Sequence, residues 1–195
     1  MDASRDLDWL DVGCGTGALI DTVLELSAPR TVAGVDPSPG FAETLRSRLG
    51  EQADIRVAGG EELPFPDDTF DAVVSGLALN FIPDPLAAVR EWRRSGRRGG
   101  TVNAYVWDYA DGMELLRIFW DAAVALDAAA MPLDEAVRFP ICQPDRLADL
   151  FREARLASVE VGNIEVATVF VDFDDYWAPF PTGQGPAPGY AASLS

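Results

Sequence analysis

The sequence predicts an α/β fold, a mostly parallel sheet with helices on both of its faces. Two observations carry this reading. From Leu7 to Trp107, short apolar runs of strand length alternate strictly with stretches of helical periodicity. The chain has 195 residues, 48% of them hydrophobic and 24% charged, which favours one domain, 1–195, with a sizeable core.

The elements follow in order. Leu7 to Val12 is a short buried strand, Gly13 to Gly17 a loop, and 18–27 a helix. TVAGVD, 31–36, is the second strand; Pro37 to Pro39 breaks it, and Phe41 to Leu49 returns to helix. ADIRVAG is the third strand, ELPFPDDTF a turn-rich loop, and 70–80 a fourth strand running into its loop. DPLAAVREWRR is a helix ended by Gly99 and Gly100, and TVNAYVW, 101–107, is the fifth strand. Beyond Trp107 the pattern changes. Residues 112–130 are apolar around most of a helix, which fits a cap over a pocket and a buried core helix equally. QPDRLADLFREARL is an amphipathic helix with Pro144 in its first turn, and 158–171 alternates as a strand. The last stretch, rich in Pro, Gly and aromatics, reads as a loop or lid or as partly disordered.

Composition excludes much chemistry. There is no histidine, and all fifteen basic residues are arginine. That removes Ser-His-Asp and Cys-His catalysis, lysine Schiff bases, the P-loop lysine and histidine-ligated metals. Cys14 and Cys142 are isolated, so no metal framework is expected and a reducing, cytoplasmic setting is. A net charge of −17 argues against nucleic acid and anionic membranes as partners. No export signal and no membrane-spanning segment is expected.

The stretch LDVGCGTGAL carries the functional argument. Gly13, Gly15 and Gly17 open a helix directly after a strand and let a ligand approach the backbone. Alone this fits a dinucleotide as well as other cofactors. Asp11 shifts the balance: a carboxylate beside pyrophosphate is repelled, whereas it suits a cation. S-adenosylmethionine carries an ammonium and a sulfonium and no phosphate. Asp36, about twenty residues beyond the loop and at the end of the second strand, is placed to accept hydrogen bonds from ribose hydroxyls in either cofactor.

Taken together, LDVGCGTGAL, VAGVDPSPGF, EELPFPDDTFDAVVSGLALNFIPDP and EWRRSGRRGGTVNAYVWDY resemble the successive motifs of class I S-adenosylmethionine-dependent methyltransferases. The nearest group is that of small-molecule and quinone-biosynthesis methyltransferases. The resemblance implies a three-layer Rossmann-like methyltransferase fold, S-adenosylmethionine as cofactor, and a small-molecule methyl acceptor. It implies that Asp11, Gly13, Cys14, Gly15 and Gly17 line the methionine end and that Asp36 holds the ribose. Pro37 and Phe41 would border the adenine, Gly59, Gly60 and Glu61 would meet its edge, and Ser75 and Leu77 would touch the cofactor again. Methyl transfer by in-line displacement needs at most a weak base, in keeping with the missing histidine and lysine.

Departures from the family pattern matter. Gly76 replaces a larger residue, and RRSGRRGG lacks the usual proline, so that turn is expected to be loose. The N-terminal helices and the final antiparallel strand are not evident, so the chain is expected to be shortened at both ends. Its sheet would then have an open edge at the fifth strand suited to homo-oligomerisation.

Other residues carry paired readings. Asn80, Trp107 and Tyr109 lie at strand ends where substrate contact is expected, Asn80 being as readily a plain loop residue. Asp108 is a speculative base, and no catalytic residue is assigned. Arg93, Arg94, Arg97 and Arg98 fit a solvated helix end better than a site for an acidic partner. The 107–135 and 170–195 stretches are candidates for a substrate cap. The alternatives to catalysis of methyl transfer are a non-catalytic, truncated cofactor-binding relative and an NAD-linked oxidoreductase.

Overall fold

Strand β1 (Asp8–Val12) is buried along its whole length and pairs in parallel with β2 (Thr31–Asp36) on one side and β4 (Phe70–Gly76) on the other. Strand β3 (Asp54–Val57) continues the sheet beyond β2, and β5 (Gly96–Tyr105) continues it beyond β4. The order is β3-β2-β1-β4-β5, every pair parallel. The structure, a computed structural model, describes residues 6–183 and 185–194. The chain divides into two compact units, Met1–Val106 with Asp149–Val159, and Trp107–Ala148 with Glu160–Ser195.

Within the first unit the pleat decides what each helix covers. Side chains alternate between faces, so Trp9, Val32, Ile55, Ala72 and Val74 form one core with Ile20 and Val23 of α1 (Ala18–Leu26) and Ala42, Leu45 and Leu49 of α2 (Pro39–Leu49). Helix α3 (Pro85–Ser95) packs on β4 and β5 and buries Ala88, Val89 and Trp92. Two helices start on the same device. Ser38 Oγ accepts from the Phe41 N–H and Asp84 Oδ1 from the Ala87 N–H, each with proline in the first turn.

The amino-terminal end of the sheet is tied by charge. Asp8 accepts from Arg30 at 2.6 and 2.9 Å, from Thr31 at 2.7 Å and from Arg97 at 2.8 Å. Asp71 accepts the Asp8 backbone N–H at 2.9 Å and pairs with the same two arginines. The Arg30 hydrogen bond holds the Asp8 carboxyl far below the usual range, and the Asp8 N–H leads in lowering Asp71. Both carboxyls are depressed on folding, so the stability they contribute is present above pH 4 and falls as pH drops below it. Asp8→Asn is expected to flatten that acid limb in urea titrations. It should cost about 1–2 kcal/mol at pH 7, the two arginines being part-exposed. Two of the four clustered arginines are thus tied into the fold, Arg97 at Asp8 and Asp71 and Arg94 at Glu91, Asp67 and the carbonyls of Leu63 and Phe65, while Arg93 and Arg98 are exposed.

Helix α3 ends at Ser95, and β5 starts at Gly96 rather than after the Gly99-Gly100 pair. Within β5, Gly100 runs against the Asp71 carbonyl, where a Cβ would collide, and Gly99 takes φ 83°. The glycines thus sit within an irregular strand, and the register shifts between Phe70 and Ala72. No strand pairs with the far side of β5 among the described residues.

In the second unit α4 (Glu114–Leu126) is shorter than the apolar stretch that predicts it. Phe119, Trp120 and Ala123 of α4 form a core with Phe180, Ala187 and Tyr190. Phe119 stacks on Phe180 with ring centroids 4.6 Å apart, and Trp120 Nε1 donates to Glu135. Short helices α5 (Glu135–Arg138), α7 (Phe173–Trp177), α8 (Pro179–Thr182) and α9 (Pro186–Ser193) complete it. Helix α6 (Pro144–Glu153) is the amphipathic helix the sequence predicts. The tail is therefore helical where a loop is expected, because its prolines occupy first turns. The alternating stretch 158–171 is not a strand. Ile164, Val166, Val169 and Val171 are exposed, and without a hydrogen-bonding neighbour the alternation makes no ladder.

Candidate functional site

A cavity of about 640 Å³ opens at the carboxyl ends of the strands in the first unit. It lies where open α/β sheets bind ligands, beside the crossover from β2 and β1 to β4. Asp11, Gly13, Cys14, Gly15, Asp36, Pro37, Phe41, Gly59, Gly60, Glu61 and Leu77 all line it. Chain folding thus brings together residues from three of the quoted motifs and from the Gly59-Gly60 pair before the third.

The glycine loop is held from several sides. The N–H groups of Gly13 and Cys14 both donate to the Val35 carbonyl, at 2.8 and 3.0 Å. Asp36 Oδ2 accepts the Gly15 N–H at 2.9 Å, and its Oδ1 accepts the Ser38 N–H at 2.8 Å. Asp36 therefore braces the loop with one oxygen and the start of α2 with the other. Arg48 adds a third tie: it donates to the Thr16 carbonyl at 2.9 Å while pairing with Asp21 at 2.7 Å. Nothing in the local sequence announces Arg48, since its role depends on α2 lying beside α1.

The three glycines differ in what demands them. Gly13, at φ 76°, has no room for a Cβ because Ala78 occupies the place. Gly17, at φ 90°, is pressed by Leu45 and Arg48 and lies behind the cavity lining. Gly15, at φ 50°, faces open space, with nothing within 4 Å of where a Cβ would stand.

Asp11 is 3% exposed, and neither carboxylate oxygen has a hydrogen-bond partner. Burial first, and the Asp36 charge second, push its carboxyl up to about 7. A carboxylate so placed calls for a cationic partner. The cavity wall offers none, as no arginine lines it. The same environment acts on Cys14: burial, then Asp11 and Asp36, push its thiol up to about 12. Cys14 is thus a packing residue, and alkylation by a thiol reagent at pH 8 is expected to be slow until the chain is unfolded.

Several expected site residues lie elsewhere. Ser75 is buried and donates its hydroxyl to the Val12 carbonyl at 2.8 Å, tying β4 to β1. Asn80 is 9% exposed in the turn after β4 and does not line the cavity. Trp107 and Tyr109 belong to the second unit. Tyr109 is buried against Phe139 with ring centroids 5.8 Å apart, and burial pushes its hydroxyl up to about 12. Asp108 caps its own turn, accepting from the N–H groups of Ala110 and Asp111. Conversely Thr16, Ala78, Phe81, Ile82 and Tyr105 line the cavity without having been singled out. Thr16 comes with the glycine loop itself, while the other four are brought there by the sheet order, which no local motif encodes.

Comparison with known proteins decides the family. A methyltransferase domain model matches residues 10–104. Over 162 residues, 77% of this chain, it is 32% identical to a demethylmenaquinone methyltransferase of Roseiflexus castenholzii, covering 68% of that protein. The chain belongs to the class I S-adenosylmethionine-dependent methyltransferases. This methyltransferase is also 33% identical over 108 residues to a demethylmenaquinone methyltransferase of Staphylococcus aureus, covering 52% of this chain and 44% of that one. Among solved structures, its fold matches a chain from the Haloferax volcanii complex of the Trm112 methyltransferase activator with a methyltransferase. The TM-score is 0.61 at 21% identity, over 79% of this chain and 62% of that one. The methyltransferase thus spans about two thirds or less of the length of these relatives. No described helix is long and apolar enough to cross a membrane.

Proposed function

We propose that this methyltransferase moves the methyl group of S-adenosylmethionine to a small apolar acceptor of the quinol class. The observation that carries the donor is Asp11, a buried carboxylate with two unpartnered oxygens at a cavity whose wall holds Asp36 and Glu61 and no arginine. A pyrophosphate would meet carboxylates without a cation to offset them, so the nicotinamide reading is disfavoured. Asp11 would bind the donor's ammonium. The open space at Gly15 would admit its methionine portion, and Asp36 would accept from the ribose through the lone pairs its two backbone donors leave free. Phe41, 46% exposed at the cavity, would pack on the adenine.

When bound, the donor supplies an electrophilic methyl on a good leaving group. The chain's task is then to orient the donor and to exclude water around it. Cys14 and Tyr105 both keep their protons at neutral pH, being pushed up by burial and by Asp11, so neither competes with the acceptor as a nucleophile. The acceptor class rests on the names of the curated relatives. The 107–135 and 170–195 stretches are proposed as the acceptor-recognition part, in a cytoplasmic protein. The free edge of β5 is proposed as a self-association edge, read out by sedimentation as a dimer that a proline at Val102 or Ala104, whose N–H groups face away from β4, dissolves.

The test is titration calorimetry with S-adenosylmethionine and with NADH, followed by mass spectrometry of a demethylated naphthoquinol incubated with the protein and donor. Donor binding with a product heavier by one methylene supports the proposal. Donor binding without turnover on any quinol points to the non-catalytic cofactor-binding reading. Binding of NADH alone overturns it.

A further inference from the structure

We infer that Tyr105 is the residue by which this site distinguishes the charged methyl donor from its neutral thioether product. The inference rests on the donor reading above and adds to it.

The strand order fixes the geometry. The carboxyl ends of β2, β1, β4 and β5 stand side by side, carrying Asp36, Asp11, Gly76 and Tyr105 respectively. With ribose held at Asp36 and the ammonium at Asp11, the sulfur that links those two parts of the donor would lie by the end of β1, one strand from Gly76, over which the Tyr105 hydroxyl rests. There the β4 and β5 wall is made by Gly76, Leu77, Ala78 and Tyr105. The Tyr105 hydroxyl is the only polar side-chain group among these four.

The sequence seats this hydroxyl. A Cβ at position 76 would overlap the Tyr105 hydroxyl and the neighbouring ring carbons, so glycine there makes the room in which the phenol rests. The end of β5 is pinned as well, since the Leu77 N–H donates to the Tyr105 carbonyl at 2.9 Å. Leu77 itself holds φ 56°, an uncommon conformation for a non-glycine residue and one that favours functional positions. Burial and the Asp11 charge keep the phenol protonated, so it presents oxygen lone pairs of a neutral dipole rather than an anion.

A fixed dipole beside the sulfur interacts with a sulfonium and hardly at all with a thioether. Both ligands share the ammonium, ribose and adenine, so contacts to those parts cancel in their ratio, and Tyr105→Phe leaves in place the Asp11, Asp36 and Glu61 carboxyls that also line the cavity. A site without such a group would release the product more slowly relative to its capture of fresh donor.

The experiment measures dissociation constants for S-adenosylmethionine and S-adenosylhomocysteine by calorimetry on the wild type, Tyr105→Phe, Gly76→Ala and Asp11→Asn. Tyr105→Phe is expected to weaken the donor about fivefold to tenfold and leave the product within about twofold. Gly76→Ala, which displaces the phenol without touching its chemistry, is expected to shift the ratio in the same direction. If it fails to fold, Tyr105→Phe decides alone. Asp11→Asn should weaken both ligands strongly, since both carry the ammonium. Equal weakening of both ligands by Tyr105→Phe, or no change in either, overturns the inference while leaving the donor site standing. A wild type that binds neither ligand fails the donor reading itself, before any variant is compared.

Discussion

Asp11→Asn is expected to make the methyltransferase more stable and nearly unable to bind its donor. The two effects have one cause. The folded Asp11 carboxyl titrates near 7 instead of 3.8, because burial and Asp36 both oppose its charge. A folded-state value raised above the unfolded one means that the folded chain holds the proton more tightly. Stability from this group is therefore full below pH 4 and is lost as pH rises from 4 to about 7, on the order of 4 kcal/mol in all. The asparagine variant carries no such charge, so at pH 8 its melting temperature should exceed that of wild type by several degrees, and at pH 4 the two should converge. Donor affinity should move oppositely, falling about 100-fold at pH 8, where a buried carboxylate loses its ammonium partner. In the wild type, affinity should rise about tenfold per unit between pH 5.5 and 7 and level off above, as binding must first remove the Asp11 proton. Cys14 and Tyr105, which face the same site, stay protonated throughout, being pushed up by burial and by Asp11. Thermal melts and calorimetry at pH 4, 6 and 8 on the two proteins check all of it. A variant destabilised at pH 8, or one that binds as the wild type does, would remove Asp11 from the donor site.

Much of this arrangement is legible in the sequence because each part of it is local. Asp11, Gly13, Gly15 and Gly17 belong to one strand-loop-helix unit, and Asp36 ends the next strand; all but Gly17 line the cavity. What is not legible depends on neighbours brought from far along the chain. Arg48 reaches the Thr16 carbonyl across 32 residues, and Tyr105 fills the space above Gly76 from the adjacent strand. The one hint of the latter is that a small residue stands at 76 where a larger one is usual, which invites the question of what fills the gap. The 158–171 stretch shows the reverse failure. Its alternation is a correct description of side chains that would suit a pleat, yet a strand is made by pairing, and Val169 and Val171 remain 84% and 90% exposed. In the tail, Pro179 and Pro186 read as breakers because their rigid φ is assigned to loops, whereas in α8 and α9 they supply the first turn.

Gly13→Ala and Gly15→Ala are expected to fail in different ways, although both glycines lie in one five-residue loop at positive φ. At Gly13 the methyl meets Ala78 and the left-handed backbone at once. Neither can yield cheaply, because the Gly13 N–H is held by the Val35 carbonyl and Ala78 sits directly before the turn at Leu79. The cost should be about 2–4 kcal/mol, visible as a fall in urea midpoint without any ligand. At Gly15 no protein atom lies within 4 Å, so only the backbone penalty of about 1 kcal/mol applies and the unliganded fold should be nearly as stable as wild type. The added methyl projects into open space beside the cavity that the donor's methionine portion would enter, and donor affinity should drop about 50-fold or more, as a good cradle is lost to overlap. The contrast separates two reasons for a glycine that a sequence cannot tell apart. One is a turn that must close, and the other is a ligand that must come near. If Gly15→Ala binds S-adenosylmethionine with wild-type affinity, the loop is a turn alone and the donor lies elsewhere in the cavity.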